Sequence, residues 1–487
     1  MGKTADTDKY KWRVLATLAV GTFMAPLDGS VVNIVLPQIS GYFHSDLASV
    51  EWVIMSYLVV ISSLLLIYGR LGDMIGHKTV YVTGFVVFTL ASALCGAAPT
   101  LLALIAFRVL QALGAGMMMA IGPAIIAATF PPNERGRALG LIGSTVASAL
   151  AFGPTIGGVL SEYFGWRSVF YINLPIGLVA ITATSLILRK SVETKRQRFD
   201  FAGAGAVFFG QLALLLAFSH GQSWEWGSPT VVRLFCAAAL LIAGFIFIEK
   251  RVPDPMVDLT LFSNKLFSMA NLTALLNFMA QFSVVFLMPF YFEKVRHLDP
   301  SSAGALLSAS PLVILFVAPV SGYLSDRIGS RLLSSLGMGM IAMSLFLLSR
   351  LGVDTSLTQI TLFLILMGLG VGLFQSPNNN AIMSSVPRHR LGIASGMLAS
   401  MRNIGMVMGV ATSGAIFQTM LPIHTAYFRA HGLTGSALEA AAFVGALKNS
   451  YWVAVALAVT GVFTSLSRGG SFTKSGVKSK RETGDNK

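Results

Sequence analysis

"TFMAPLDGSVVNIVLPQIS", residues 22–40, is the stretch on which the fold turns. It reads as a membrane-spanning helix with one discordant residue, Asp28, about 15 positions in from the last flanking cation, Arg13. Desolvating a carboxylate at that depth costs roughly 2.5 to 3.5 kcal/mol on insertion scales. An acid in such a place therefore calls for a role that compensates its burial.

The rest of the chain explains why the stretch must be a span. Of its 487 residues, 54% are hydrophobic and 11% charged, and the mean hydropathy is +0.71. Soluble domains carry about 25% charged residues, so the composition describes an all-α integral membrane protein. Its 48 glycines, 33 phenylalanines and 21 methionines suit helices packed closely in lipid. Cys95 and Cys236 fall in separate apolar runs, which makes a disulfide between them improbable.

Apolar runs of about 20 residues predict 14 transmembrane helices at 13–38, 51–69, 79–98, 101–128, 138–161, 168–188, 201–219, 231–249, 267–291, 302–324, 332–350, 356–380, 391–418 and 447–467. The first follows Lys3, Lys9, Lys11 and Arg13 without a small-residue cleavage site, and reads as an uncleaved helix. Loops on the terminal side hold 26 Lys and Arg residues, against seven on the other side. The positive-inside rule then puts both termini in the cytoplasm, and explains the net charge of +14 without nucleic acid.

"GRLGDMIGHK" at 69–78 and "GYLSDRIGSR" at 322–331 share Gly, Leu, Asp, Ile and Gly in register, 253 residues apart. They close helices 2 and 10. Two similar six-helix halves therefore carry two extra helices between them. The expected organisation is a six-helix bundle at 1–190, two inserted helices with cytoplasmic linkers at 191–264, a second six-helix bundle at 265–468, and a disordered polar tail at 469–487.

Further motifs lie inside the spans. "RVLQALGAG", 108–116, buries an arginine in helix 4, unless Arg108 snorkels to the outer interface. "ALAFGPTIGGVL", 149–160, strips side chains from one face of helix 5 at Gly153, Gly157 and Gly158 and bends it at Pro154. "WRSVFYINLPIG", 166–177, opens helix 6. Arg402, in "MRNIGMVMG", is a second deep cation, and "FQSPNNN", 374–380, reads as a helix break that ends helix 12. In the repeated loop, Gly69, Gly72 and Gly322 read as tight helix ends. Asp73 is a candidate helix cap and Lys78 a candidate cation for pairing across the interface between halves, with Asp326 and Arg327 belonging to the second copy of the motif.

These motifs resemble those of the major facilitator superfamily, and specifically its fourteen-helix drug:proton antiporters, over residues 12–467. Ala112 and Asn403 depart from the family pattern, which has glycine and glutamine there. The resemblance implies two six-helix bundles plus two inserted helices, working by alternating access. It implies a secondary active exporter, with Asp28 taking and releasing the proton and Arg108 tuning it. Its energy would come from a proton gradient rather than a cofactor.

No phosphate-binding loop, HExxH or G-x-S-x-G motif is present, which disfavours ATP-driven pumping and hydrolase chemistry. No histidine is deep. Glu51, Glu162 and Glu293 lie near outer helix ends and are expected to be solvated. No metal-ligand cluster is expected.

Asn33, Gln111, Gln281, Gln375 and Arg402 are the candidate substrate contacts. A single deep acid fits neutral or monocationic lipophiles better than dications, while the arginines leave room for amphipathic anions. Expected partners are a lipophilic small molecule, protons and the bilayer of the cell (inner) membrane, with the chain monomeric and an accessory envelope protein left open. The alternatives are an exporter of an endogenous amphipathic metabolite or lipid, and a non-transporting scaffold or sensor.

Overall fold

The computed structural model describes residues 2–131, 134–189, 201–221, 224–252, 259–387 and 391–468. The expected linker at 190–200 and the tail at 469–487 lie outside the described residues, as do the side chains of Asp73 and Asp326.

The described residues are mostly helical, joined by turns and short irregular stretches. Long helices form because each apolar run satisfies its own backbone hydrogen bonds, which no other single-segment structure does in lipid. They are α1 (Gly2–Tyr42), α2 (Trp52–Ile75), α3 (His77–Gly96), α4 (Leu101–Thr129), α5 (Arg135–Phe164), α6 (Asn173–Ile187) and α7 (Phe201–His220). After these come α8 (Pro229–Glu249), α9 (Lys265–Phe290), α10 in two segments (Pro300–Leu307 and Ala309–Ile328), α11 (Ser330–Leu348), α12 (Leu357–Ser384), α13 (Leu391–Ala430) and α14 (Gly435–Leu466). Among the described residues 13 spans are long and apolar enough to cross a membrane, and α7 contributes a shorter apolar stretch, Gly205–Phe218. This is the fourteen-helix arrangement the sequence implies.

α1–α6 pack as one bundle and α9–α14 as the other. The bundles meet along two seams, α5 against α10 and α2 against α13. α7 lies on the second seam, where Gln211 Oε1 accepts hydrogen bonds from Ser62 Oγ (3.1 Å) and Ser63 Oγ (3.0 Å) of α2.

Three local expectations are corrected. Gly69, Gly72 and Gly322 do not end helices: they lie inside α2 and α10. The turns are made instead by Gly76 (φ 96°) and Gly329 (φ 89°), again 253 apart, at a backbone conformation that side chains rarely adopt. "FQSPNNN" does not break α12, which runs through Pro377 to Ser384. A proline costs a helix one backbone hydrogen bond, here to Leu373 O, which packing against neighbouring helices tolerates; beside it Ser321 Oγ of α10 donates to Gly372 O at 2.7 Å.

Lys78 does not cross between halves either. Its Nζ donates to Ser185 O (2.6 Å) and Leu188 O (2.5 Å), carbonyls at the end of α6 in its own bundle. A cation there is favoured because those carbonyls lack helical partners and carry the negative end of the helix dipole.

Candidate functional site

Asp28 is buried at the centre of the first bundle, where α1 faces α4 and α6. Its Oδ2 accepts from Arg108 Nη1 at 2.5 Å. Its Oδ1 accepts from Gln111 Nε2 (2.9 Å) and Asn173 Nδ2 (2.8 Å). Arg108 and Gln111 sit three residues apart on α4 and so share a face.

Arg108 does not snorkel. It is 1% exposed, its Nε donates to Val53 O of α2 at 3.0 Å, and its guanidinium stacks 4.0 Å above the Tyr57 ring. Arg108 Nη1 also donates to Gln111 Oε1 at 2.6 Å, and Gln111 Nε2 donates to Ser92 Oγ of α3 at 2.8 Å. Five helices of one bundle thus converge on one carboxylate. A charge pair in so dry a place is stable only when its remaining donors and acceptors are satisfied, and here nearly all are.

Asn173, Tyr57 and Ser92 were not singled out from the sequence. Asn173 stood inside "WRSVFYINLPIG", at the start of α6, where an Asn reads as an ordinary helix cap. The other candidates are placed apart from this network. Asn33 is buried on α1 with its Oδ1 lacking a partner among the described residues. Gln281 of α9, Gln375 of α12 and Arg402 of α13 are half-buried in the second bundle, and Arg402 Nε has no partner among the described residues.

The α5 glycines serve two contacts. A Cβ on Gly153 would meet Ser30 Oγ at 2.5 Å, and one on Gly157 would meet Ile34 Cγ2 at 2.6 Å, so both hold α5 against α1 within the bundle. Gly158 instead lies against the Pro300 carbonyl of α10, and Gly304 of α10 against the Pro154 carbonyl. Beside them Thr155 Oγ1 and Ser308 Oγ are 2.8 Å apart, and Ser301 N–H donates to Glu162 Oε2 at 3.2 Å. α5 therefore touches the Asp28 helix on one side and the second bundle on the other.

Glu162 is exposed as expected, and Glu293 is half-buried. Glu51, expected to be solvated, is fully buried, with Gly414 of α13 against its carboxylate, because the α2–α13 seam covers the end of α2.

Two helical bundles in the membrane, the first holding a buried ion pair, are the architecture of a membrane transporter. The sequence pattern of the Major Facilitator Superfamily matches residues 18–410, and the chain belongs to that family. It is 33% identical to the riboflavin transporter RibZ of Clostridioides difficile, over 94% of this chain and 97% of that one. It is 31% identical to the multidrug transporter protein MdtP of Bacillus subtilis, over 83% of this chain and 74% of that one. A solved bacterial homologue of the human lysosomal transporter Spinster, in an inward-facing unoccupied conformation, shares the fold. It has a TM-score of 0.69 at 16% identity, over 95% and 99% of the two chains.

Proposed function

We propose that this protein is a proton-coupled antiporter that exports lipophilic compounds across the cell membrane by alternating access, as a monomer with both termini cytoplasmic. The carrying observation is the Asp28–Arg108 pair, held by Gln111 and Asn173. Relatives named for multidrug transport and for tetracenomycin C resistance and export support the export reading. The bundle boundaries near 190 and 264 follow from the same reading.

In the ionised pair, Asp28 holds Arg108 at the junction of α1 and α4. A proton on Asp28 removes the attraction and frees the guanidinium to rest on Gln111 Oε1 and the Tyr57 ring, both already in contact with it. α1 then shifts against Gly153 and Gly157, and α5 carries the shift to the Gly158–Gly304 contact between bundles. Protonated and ionised Asp28 thereby favour different arrangements of the halves, which is what coupling requires. Asn33, Gln281, Gln375 and Arg402 are assigned as polar contacts for substrate.

A second reading has its own support. The relative named as a riboflavin transporter matches over nearly the whole of both chains, which favours a planar amphipathic metabolite as cargo.

The test is flux in proteoliposomes under an imposed pH gradient, with lipophilic cations, neutrals, anions and riboflavin as separate arms. Wild type should carry at least one class, and Asp28→Asn none of it. Gradient-driven flux through Asp28→Asn at the wild-type rate would overturn the coupling role. Flux restricted to riboflavin would select the second reading.

A further inference from the structure

Another buried cation lies outside the first bundle, at the end of α14. Arg468 follows the last residue of the α14 span, Leu466, and is 2% exposed. Its Nη2 donates to Asn378 Oδ1 of α12, but Nε and Nη1 have no hydrogen-bond partner among the described residues. Asn378 is itself fully buried, and its Nδ2 is also without a partner.

A third group joins them by helix register. Gly337 of α11 abuts Phe374 N of α12. The two helices run antiparallel, so Ser334, one turn earlier, comes level with 377–378. Ser335 Oγ donates to Ser465 Oγ of α14 at 2.9 Å, which fixes α14 at the same level. Ser334 Oγ is fully buried and unpartnered as well.

Three buried residues from α11, α12 and the end of α14 thus come to one level of the bundle, and the atoms they leave unpartnered are donors or a hydroxyl free to donate. No acidic side chain pairs with Arg468 among the described residues. Water would satisfy the donors but not the charge, and a buried cation without a counter-ion is strongly unfavourable. Burial alone pushes the Arg468 pKa down to about 10.

We propose that Arg468, Asn378 and Ser334 form a binding site for a phosphate oxyanion that neutralises Arg468 and ties α14 to α11 and α12. A phosphate puts two oxygens on one edge of the guanidinium and keeps others for neighbouring donors such as Asn378 Nδ2 and Ser334 Oγ, whereas a carboxylate has only the two. Arg468 lies just past the apolar span, at the depth of lipid headgroups, so a phospholipid phosphate and free inorganic phosphate are both within reach. The site is independent of the transport reading.

The experiment uses the full chain, delipidated in an uncharged detergent, and follows its melting midpoint. One arm titrates inorganic phosphate against chloride at matched ionic strength. The other compares phosphatidylcholine nanodiscs with and without phosphatidylglycerol. Wild type should be stabilised saturably in one arm, and that arm identifies the source. Arg468→Gln should bind about tenfold more weakly or worse. Asn378→Asp keeps the cation and supplies its own carboxylate, so it should melt as high as saturated wild type and cease to respond, even if Arg468→Gln fails to fold. No response of wild type in either arm would overturn the site, as would an Asn378→Asp response equal to that of wild type.

Discussion

The α3–α4 crossing of the first bundle and the α11–α12 crossing of the second are built alike and filled differently. A Cβ on Gly114 would lie 2.6 Å from Gly84 O, and one on Gly370 would lie 2.8 Å from Gly337 O. Gly84 and Gly337 are 253 residues apart, Gly114 and Gly370 are 256 apart, and each pair lets two backbones meet where any side chain would hold them off. Carrying those offsets along the helices sets Asp28 against Gln281, Ser92 against Leu345, Arg108 against Leu364 and Gln111 against Met367. Leu345, Leu364 and Met367 are all buried. The second bundle thus sets an uncharged amide, Gln281, and apolar side chains where the first holds an ion pair and its partners. The scaffold tolerates either filling, so the charge in the first bundle is there for something other than packing.

The most severe way to break this comparison is to write one bundle's residues into the other. Arg108→Leu alone leaves Asp28 buried and uncompensated, and should lower stability by about 3 to 5 kcal/mol. Asp28→Gln with Arg108→Leu copies Gln281 and Leu364, and should recover most of that loss while leaving gradient-driven flux at zero. Thermal unfolding in detergent and proteoliposome flux measure the two halves of the prediction. A double variant as unstable as the single one would mean that the crossings are not equivalent.

The glycines sharpen the comparison from the other side. Gly114→Ala and Gly370→Ala should each cost about 1 to 3 kcal/mol by forcing the crossing helices apart. Their melting midpoints should fall together, because backbone atoms of the facing helix, a glycine carbonyl among them, obstruct the Cβ in both bundles. A loss confined to Gly114→Ala would tie that crossing to the ion pair rather than to the shared scaffold.

How much of this could be read in advance follows from what sequence encodes locally. Asp28 and Arg108 were legible because charges deep in apolar runs are expensive, whereas Gln111, expected to contact substrate, instead bonds Asp28 from the face of α4 that it shares with Arg108. Asn173 was hidden by its position at the start of α6, where polar residues are common and prove nothing. Glu51 was misjudged because distance from a helix end stands in for exposure only when no neighbour covers that end, and α13 does. Gly69 and Gly72 were mistaken for turn residues ahead of Gly76 because glycine in a membrane helix also marks close packing. A Cβ on Gly72 would strike Ile121.

The smallest expected effect separates the two copies of the loop motif. Lys78 and Arg331 occupy the same register, 253 residues apart, and both look like positive-inside cations. Lys78 is half-buried and bonded to the last carbonyls of α6, whereas Arg331 is exposed. Lys78→Met should therefore cost about 0.3 to 1 kcal/mol, the range for a cation at a helix carboxyl end. Arg331→Met should leave the melting midpoint unchanged. An equal loss in both would assign the cations a common role set by membrane orientation, and the carbonyl contacts of Lys78 would then add nothing beyond its charge.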